Sequence, residues 1–120
     1  MKPSAFDYVR ARSPQQVFDL LAQHGDDARV LAGGQTLLPA LNMRLSAPTL
    51  LVDIGALDGL RGIAVQGGSL RIGALTRHGE IEASALVALH APLLAQAAPH
   101  IAHPAIRNRG TFGGSLAYAD

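Results

Sequence analysis

Cysteine is absent from the 120 residues. Its absence removes disulfides, thiolate catalysis and cysteine-ligated zinc or iron–sulfur clusters from this chain. No run of lysine or arginine occurs and the formal charge is +1, so there is no basic field and a general nucleic-acid binder is excluded. No apolar stretch approaches the roughly 20 residues that span a bilayer. The opening Met1-Lys2-Pro3-Ser4-Ala5-Phe6-Asp7-Tyr8 carries charge and proline where a signal peptide needs an apolar run. The expectation is a cytoplasmic protein without membrane or nucleic-acid partners. Internal repeats and low-complexity segments are missing too. The 48% hydrophobic content supplies a core for one domain, or for two small lobes sharing a ligand.

What is present is a pair of glycine motifs about 80 residues apart, Ala32-Gly33-Gly34-Gln35-Thr36 and Gly110-Thr111-Phe112-Gly113-Gly114-Ser115. Each sets backbone without bulky side chains beside a hydroxyl, which lets main-chain N–H groups approach a phosphate closely. The first lacks the Gly-Lys-Ser/Thr ending of a P-loop and the third glycine of Gly-x-Gly-x-x-Gly. Taken alone it reads more readily as a strand-to-helix turn that needs positive φ than as a phosphate site. Two such motifs together point to one extended diphosphate ligand held from two sides.

The local signals place these motifs on elements. Phe6 to Arg10 reads as a strand. Ser13, Pro14 and Gln16 read as N-cap, first helical residue and capping-box partner. Val17, Leu20, Leu21 and His24 then share a helical face that stops at Gly25. Arg29 to Ala32 is a second strand feeding the first glycine pair, which completes a β-α-β unit with parallel strands. Thr36 is expected to cap a helix over Leu37–Met43, and Leu50–Asp53 to form a third strand. Ile63 and Val65, then Leu70 and Ile72, flank Gly67-Gly68 as a hairpin. A lobe boundary is expected between Ile54 and Leu60. Helical turns follow, capped by Thr76 and Ser84, and another covers Pro92–Ala98. Ile101–Arg109 reads as irregular.

Few side chains suggest chemistry of their own. His24, His78, His90, His100 and His103 offer no third ligand near the one close pair, so no metal site is expected. Asp53, Asp58, Glu80 and Glu82 show no acid–base arrangement, and Arg107 and Arg109 read as solvated. Asn108 is the better candidate for an orienting hydrogen bond, or for fixing the loop itself. No catalytic residue is assigned; redox chemistry here requires a cofactor.

The stretches Leu31–Pro39 and Ile106–Leu116, with Phe6-Asp7-Tyr8 and Leu50-Leu51-Val52-Asp53 in matching order, resemble the FAD-binding medium subunit of molybdenum hydroxylases. This is the xanthine dehydrogenase and carbon monoxide dehydrogenase family. The resemblance implies an α/β (α+β) FAD-binding fold of the vanillyl-alcohol oxidase type. Residues 1–56 would form a small β-α-β lobe and residues 57–120 an incomplete second α+β lobe. It implies that Ala32, Gly33, Gly34, Gln35, Thr36 and Leu37 contact FAD from the first lobe. Gly110, Thr111, Phe112, Gly113, Gly114 and Ser115 would do so from the second, with Phe112 replacing the family's usual aliphatic residue.

The family also implies partners: an iron–sulfur small subunit and a molybdopterin large subunit, whose electrons pass through FAD to an external acceptor. Family members run to well over twice this length. A downstream acidic position that contacts the adenosine part of FAD is missing, and Asp120 falls short of it. The expectation is a fragment or a pocket completed by another chain, with weak or absent FAD binding and no activity for the chain alone. Leu93, Leu94, Ile101, Ile106 and Phe112 would then expose apolar surface. The alternatives are an assembly remnant that docks on partner subunits without flavin, and another nucleotide-binding module.

Overall fold

A computed structural model describes Lys2–Ala119; Met1 and Asp120 lie outside the described residues. Two compact units divide the chain, Met1–Asp58 and Gly59–Asp120.

In the first unit, Ser13 separates strand from helix. Its Oγ accepts from the Gln16 N–H at 3.1 Å. Pro14 fills the first helical position, where a missing N–H leaves nothing unpaired. The capping box differs slightly from expectation: Gln16 Oε1 accepts from the Arg12 N–H at 2.8 Å, one residue before the cap. Helix α1 (Pro14–His24) ends at Gly25, whose φ of 55° suits a residue without Cβ.

Strands β1 (Asp7–Arg10), β2 (Ala28–Leu31) and β3 (Leu50–Asp53) form a parallel sheet in the order β1-β3-β2. The two strands joined through α1 are parallel, as the crossover requires, with β3 inserted between them. Leu50, Leu51 and Val52 are 5%, 1% and 0% exposed. Successive residues face opposite sides of a sheet, so this strand is covered on both. Leu51 packs with Leu37 and Leu41 of α2 (Leu37–Asn42), and Leu31 joins them. Helix α1 packs against β2 and β3. Thr36 does not cap α2 through its side chain. It has helical φ and ψ of −103° and −43°, whereas a capping side chain reaches the N–H groups of the first turn from extended backbone.

The second unit opens with the expected hairpin. Strands β4 (Ile63–Gln66) and β5 (Ser69–Ile72) pair antiparallel, with Ile63 opposite Ile72 and Val65 opposite Leu70. Gly67 and Gly68 have φ of 55° and 80°, the two positive values that a two-residue turn matched to strand twist demands. Five helices follow: α3 (His78–Ala83), α4 (Ala85–His90), α5 (Pro92–Ala97), α6 (Pro104–Arg107) and α7 (Phe112–Tyr118). Ile81, Val87 and Ala98 form their common core, against which Ile63, Ile72, Leu94 and Phe112 pack.

Ser84 caps α4 as expected, accepting from the Val87 N–H at 3.2 Å. Thr76 does not cap α3. It is fully buried, and its Oγ1 accepts from the Gly62 N–H and donates to the Gly62 carbonyl, both at 3.2 Å. The cap position belongs to Arg77, whose N–H donates to Glu80 Oε1 at 3.0 Å. The stretch Ile101–Arg109, expected to be irregular, contains α6, started by Pro104. Of the apolar residues expected at the surface, Leu93 is 78% exposed; Leu94, Ile101, Ile106 and Phe112 are half-buried.

Candidate functional site

The carboxyl end of a parallel sheet is where open α/β sheets take their ligands. In the first unit that end carries Ala32–Thr36, leaving β2, and Asp53–Gly55, leaving β3. Leu31 lies beside Asp53 in register, and its carbonyl accepts from the Ile54 N–H at 3.0 Å. Asp53 is occupied on both oxygens. The Tyr8 hydroxyl donates to Oδ2, and the Gly55 N–H donates to Oδ1 at 2.8 Å. The hydrogen bond to Asp53 raises the Tyr8 pKa above its ordinary value, helped by some desolvation and by the carboxylate charge.

Gly34 turns the chain with a φ of 77°, and a Cβ there would lie 2.8 Å from Leu38 Cδ1. The Gln35 side chain folds onto the turn, donating from Nε2 to the Gly33 carbonyl at 3.2 Å. Ala32–Gln35 are half-buried, Thr36 is exposed and Leu37 is buried in the α2 core. Leu37 therefore has only its backbone to offer a ligand. The segment presents small side chains, polar main chain and the Thr36 hydroxyl at a partly open edge, a donor set that fits a diphosphate.

The second motif is built differently. Thr111 caps α7, with Oγ1 accepting from the Gly114 N–H at 3.2 Å, so Gly113, Gly114 and Ser115 are helical. Other amides are spent within this unit as well. The N–H groups of Gly110, Phe112 and Gly113 donate to the carbonyls of Ile106 (2.7 Å), Thr76 (2.8 Å) and Ala74 (2.8 Å). That of Ser115 donates to Thr111 O at 3.1 Å. All five of these amides thus have partners within the unit. The glycines also have internal reasons. A Cβ on Gly113 would lie 2.7 Å from Ala74 Cβ, and one on Gly110 would lie 3.0 Å from the His78 ring. The two hydroxyls of the motif are engaged as well, Thr111 Oγ1 with the Gly114 N–H and Ser115 Oγ with the His78 ring. Thr111 is 2% exposed and Ser115 is half-buried.

His78, unremarkable among five histidines in the sequence, is the residue that pattern reading misses. It is buried beside the second motif, with its N–H on Gly110 O at 3.1 Å and its ring Nε2 2.9 Å from Ser115 Oγ. Burial lowers its pKa below the ordinary histidine value. The ring and Ser115 line a small apolar pocket of about 110 Å³ with Ile81, Leu94, Phe112 and Leu116.

The nearby arginines divide. Arg107, expected to be solvated, is 11% exposed and paired with Glu82 through Nε at 3.0 Å. Its Nη1 also donates to the carbonyls of Ile101 and Ala102 at 3.0 and 3.4 Å. Arg109 is exposed, and its carbonyl accepts from the Arg77 guanidinium. Asn108 follows α6, its N–H on Pro104 O at 2.9 Å. No metal-holding group of His, Asp or Glu occurs among the described residues, and none of their helices is long and apolar enough to cross a membrane.

Residues 4–120 match the family model described as the FAD binding domain in molybdopterin dehydrogenase. The chain is 53% identical over 120 residues to subunit alpha of the 6-hydroxypseudooxynicotine dehydrogenase complex of Paenarthrobacter nicotinovorans, covering all of this chain and 40% of that one. It superposes with a TM-score of 0.96 on a carbon monoxide dehydrogenase chain from Hydrogenophaga pseudoflava, at 43% identity, covering 100% of this chain and 42% of that chain. The quinoline 2-oxidoreductase of Pseudomonas putida 86 gives 0.93 at 45% identity, over 100% and 42%. The chain thus spans about 40% of the length of the curated relatives it matches.

Proposed function

Since the chain belongs to the family of FAD-binding domains in molybdopterin dehydrogenases, we propose that it is the FAD-gripping part of a medium subunit in a molybdenum hydroxylase. The observation that carries this reading is the whole-chain likeness to a carbon monoxide dehydrogenase chain, at a TM-score of 0.96 and 43% identity. Ala32–Leu37 contact the diphosphate through small side chains, main chain and the Thr36 hydroxyl. Gly110–Ser115 form a rigid helix start whose contribution is the Thr111 and Ser115 hydroxyls.

Redox chemistry between iron–sulfur clusters and an external acceptor is what FAD supplies when bound. This chain's residues bind and orient it, and the substrate-oxidising step belongs to a molybdopterin large subunit. An iron–sulfur small subunit is the second partner, and we place the assembly in the cytoplasm.

The test is a titration with FAD, following flavin fluorescence and absorbance, with ADP as competitor. It is run on the chain alone and on the complex it forms with the two partner subunits. Saturable binding in the complex, one flavin per chain and weakened by Gln35→Ala combined with Thr36→Ala, is the expected result. A complex that assembles without flavin would sink the cofactor reading and favour the assembly role.

A further inference from the structure

Ser115 is the fourth residue of α7, a position where a serine hydroxyl ordinarily turns back onto the carbonyl four residues earlier. Here that carbonyl, Thr111 O, already receives the Ser115 N–H at 3.1 Å, and the hydroxyl reaches across to His78 Nε2 at 2.9 Å. The histidine has little freedom. Its backbone N–H is tied to Gly110 O at 3.1 Å. Its ring edge also fills the space that a Cβ on Gly110 would take, with Cδ2 3.0 Å from that point. The flanking Arg77 and Thr111 form an antiparallel bridge. The ring is thus held by the motif whose hydroxyl it touches, and it lines the same small pocket as Ser115.

Because the amides of this segment are spent internally, its useful donors are hydroxyl protons, and their direction matters. A serine oxygen that accepts from the ring keeps its own proton for another acceptor; one that donates to the ring has none left to give. We propose that His78 is a positioning residue for Ser115, holding the hydroxyl so that its proton points to an anionic oxygen of FAD. The proposal rests on the cofactor reading above and requires the Nε2–H tautomer of His78.

The experiment measures FAD affinity in the assembled complex for wild type, Ser115→Ala, His78→Leu, the double variant and His78→Gln. The Gln amide brings an N–H to roughly the place of Nε2. Ser115→Ala and His78→Leu are each expected to weaken FAD binding about 10-fold, the double variant no further than Ser115→Ala, and His78→Gln much less. In parallel, long-range 15N–1H spectra of the chain with labelled histidine, within the assembled complex, are expected to show a protonated Nε2 whose resonance moves on FAD addition.

Unchanged affinity in folded Ser115→Ala, additive losses in the double variant, or a proton on Nδ1 instead would each overturn the proposal. Wild type that binds no FAD would overturn the cofactor reading and this inference together. Wild type that binds FAD equally well after Ser115→Ala would overturn this inference alone. Should His78→Leu fail to fold, Ser115→Ala and the wild-type spectra still decide.

Discussion

Gly113 lies so close to Ala74 that a Cβ added at 113 would sit 2.7 Å from the Ala74 Cβ and 2.9 Å from its carbonyl oxygen. That carbonyl accepts the Gly113 N–H at 2.8 Å, so the two backbones cannot separate without breaking a hydrogen bond. Gly113→Ala should therefore destabilise the second unit by about 1–3 kcal/mol in the absence of any cofactor, and Gly113→Val by more. Urea denaturation of the cofactor-free chain measures this. A variant as stable as wild type that loses FAD affinity would show instead that the glycine serves the ligand.

Gly34 is a different case. Its positive φ costs a residue with Cβ about 1–2 kcal/mol, but the atom in the way is the end of a flexible side chain, Leu38 Cδ1. Gly34→Ala should cost both terms. In the Leu38→Ala background the steric part should vanish and the conformational part remain. Thermal melts of the four proteins in that cycle separate the two, and strict additivity would refute the contact.

The features legible in the sequence are those determined within a few residues. Ser13-Pro14 starts a helix, Ser84 caps one, and Gly67-Gly68 makes a hairpin, because each answers a local demand for a donor, a φ value or a missing N–H. The position of β3 between β1 and β2 is not local; it is decided by which strand has two faces apolar enough to be covered. Thr76 has a capping residue's chemistry, yet Gly62, fourteen residues away, claims its hydroxyl. His78 reads as a surface histidine until Gly110, lacking a Cβ, makes room for its ring. At the candidate site the first motif is legible in its turn and placement. The second motif's five amides are already paired, which only the tertiary structure reveals.

The Arg107–Glu82 pair joins residues 25 apart and closes the Ile101–Ala102 turn, where Ala102 adopts a φ of 45°. One guanidinium serves a carboxylate through Nε and two carbonyls through Nη1, two donor positions that a single ammonium nitrogen cannot occupy at once. Arg107→Lys should consequently lose most of what Arg107→Ala loses, about 1–3 kcal/mol. Glu82→Gln should lose less, since its side chain is 34% exposed. Chemical denaturation of the three variants tests the order, and Arg107→Lys matching wild type would contradict it.

Tyr8 should ionise later in wild type than in Asp53→Asn, because its phenol donates a hydrogen bond to a carboxylate that would repel the phenolate. With no tryptophan and only two tyrosines in the chain, tyrosinate ultraviolet absorbance follows this directly, and Tyr8→Phe assigns the transition. A Tyr8 titration unmoved by Asp53→Asn would mean that the hydrogen bond does not persist in solution.

Burial of His78 sets a pH dependence of stability whose sign can be worked out. The folded pKa is lowered, so between that value and the unfolded pKa of about 6.5 the unfolded chain binds more protons than the folded one. Stability from this group is then complete above about pH 6.5. It is lost as the pH falls from there through the lowered folded pKa. The physical reason is burial: the charged form of the ring loses solvation in the folded chain. Wild type should lose stability below pH 6.5 faster than His78→Gln, which has no proton to gain. Parallel denaturant titrations across that range give the comparison. Identical pH slopes for the two proteins would show that the ring reaches solvent in the folded state.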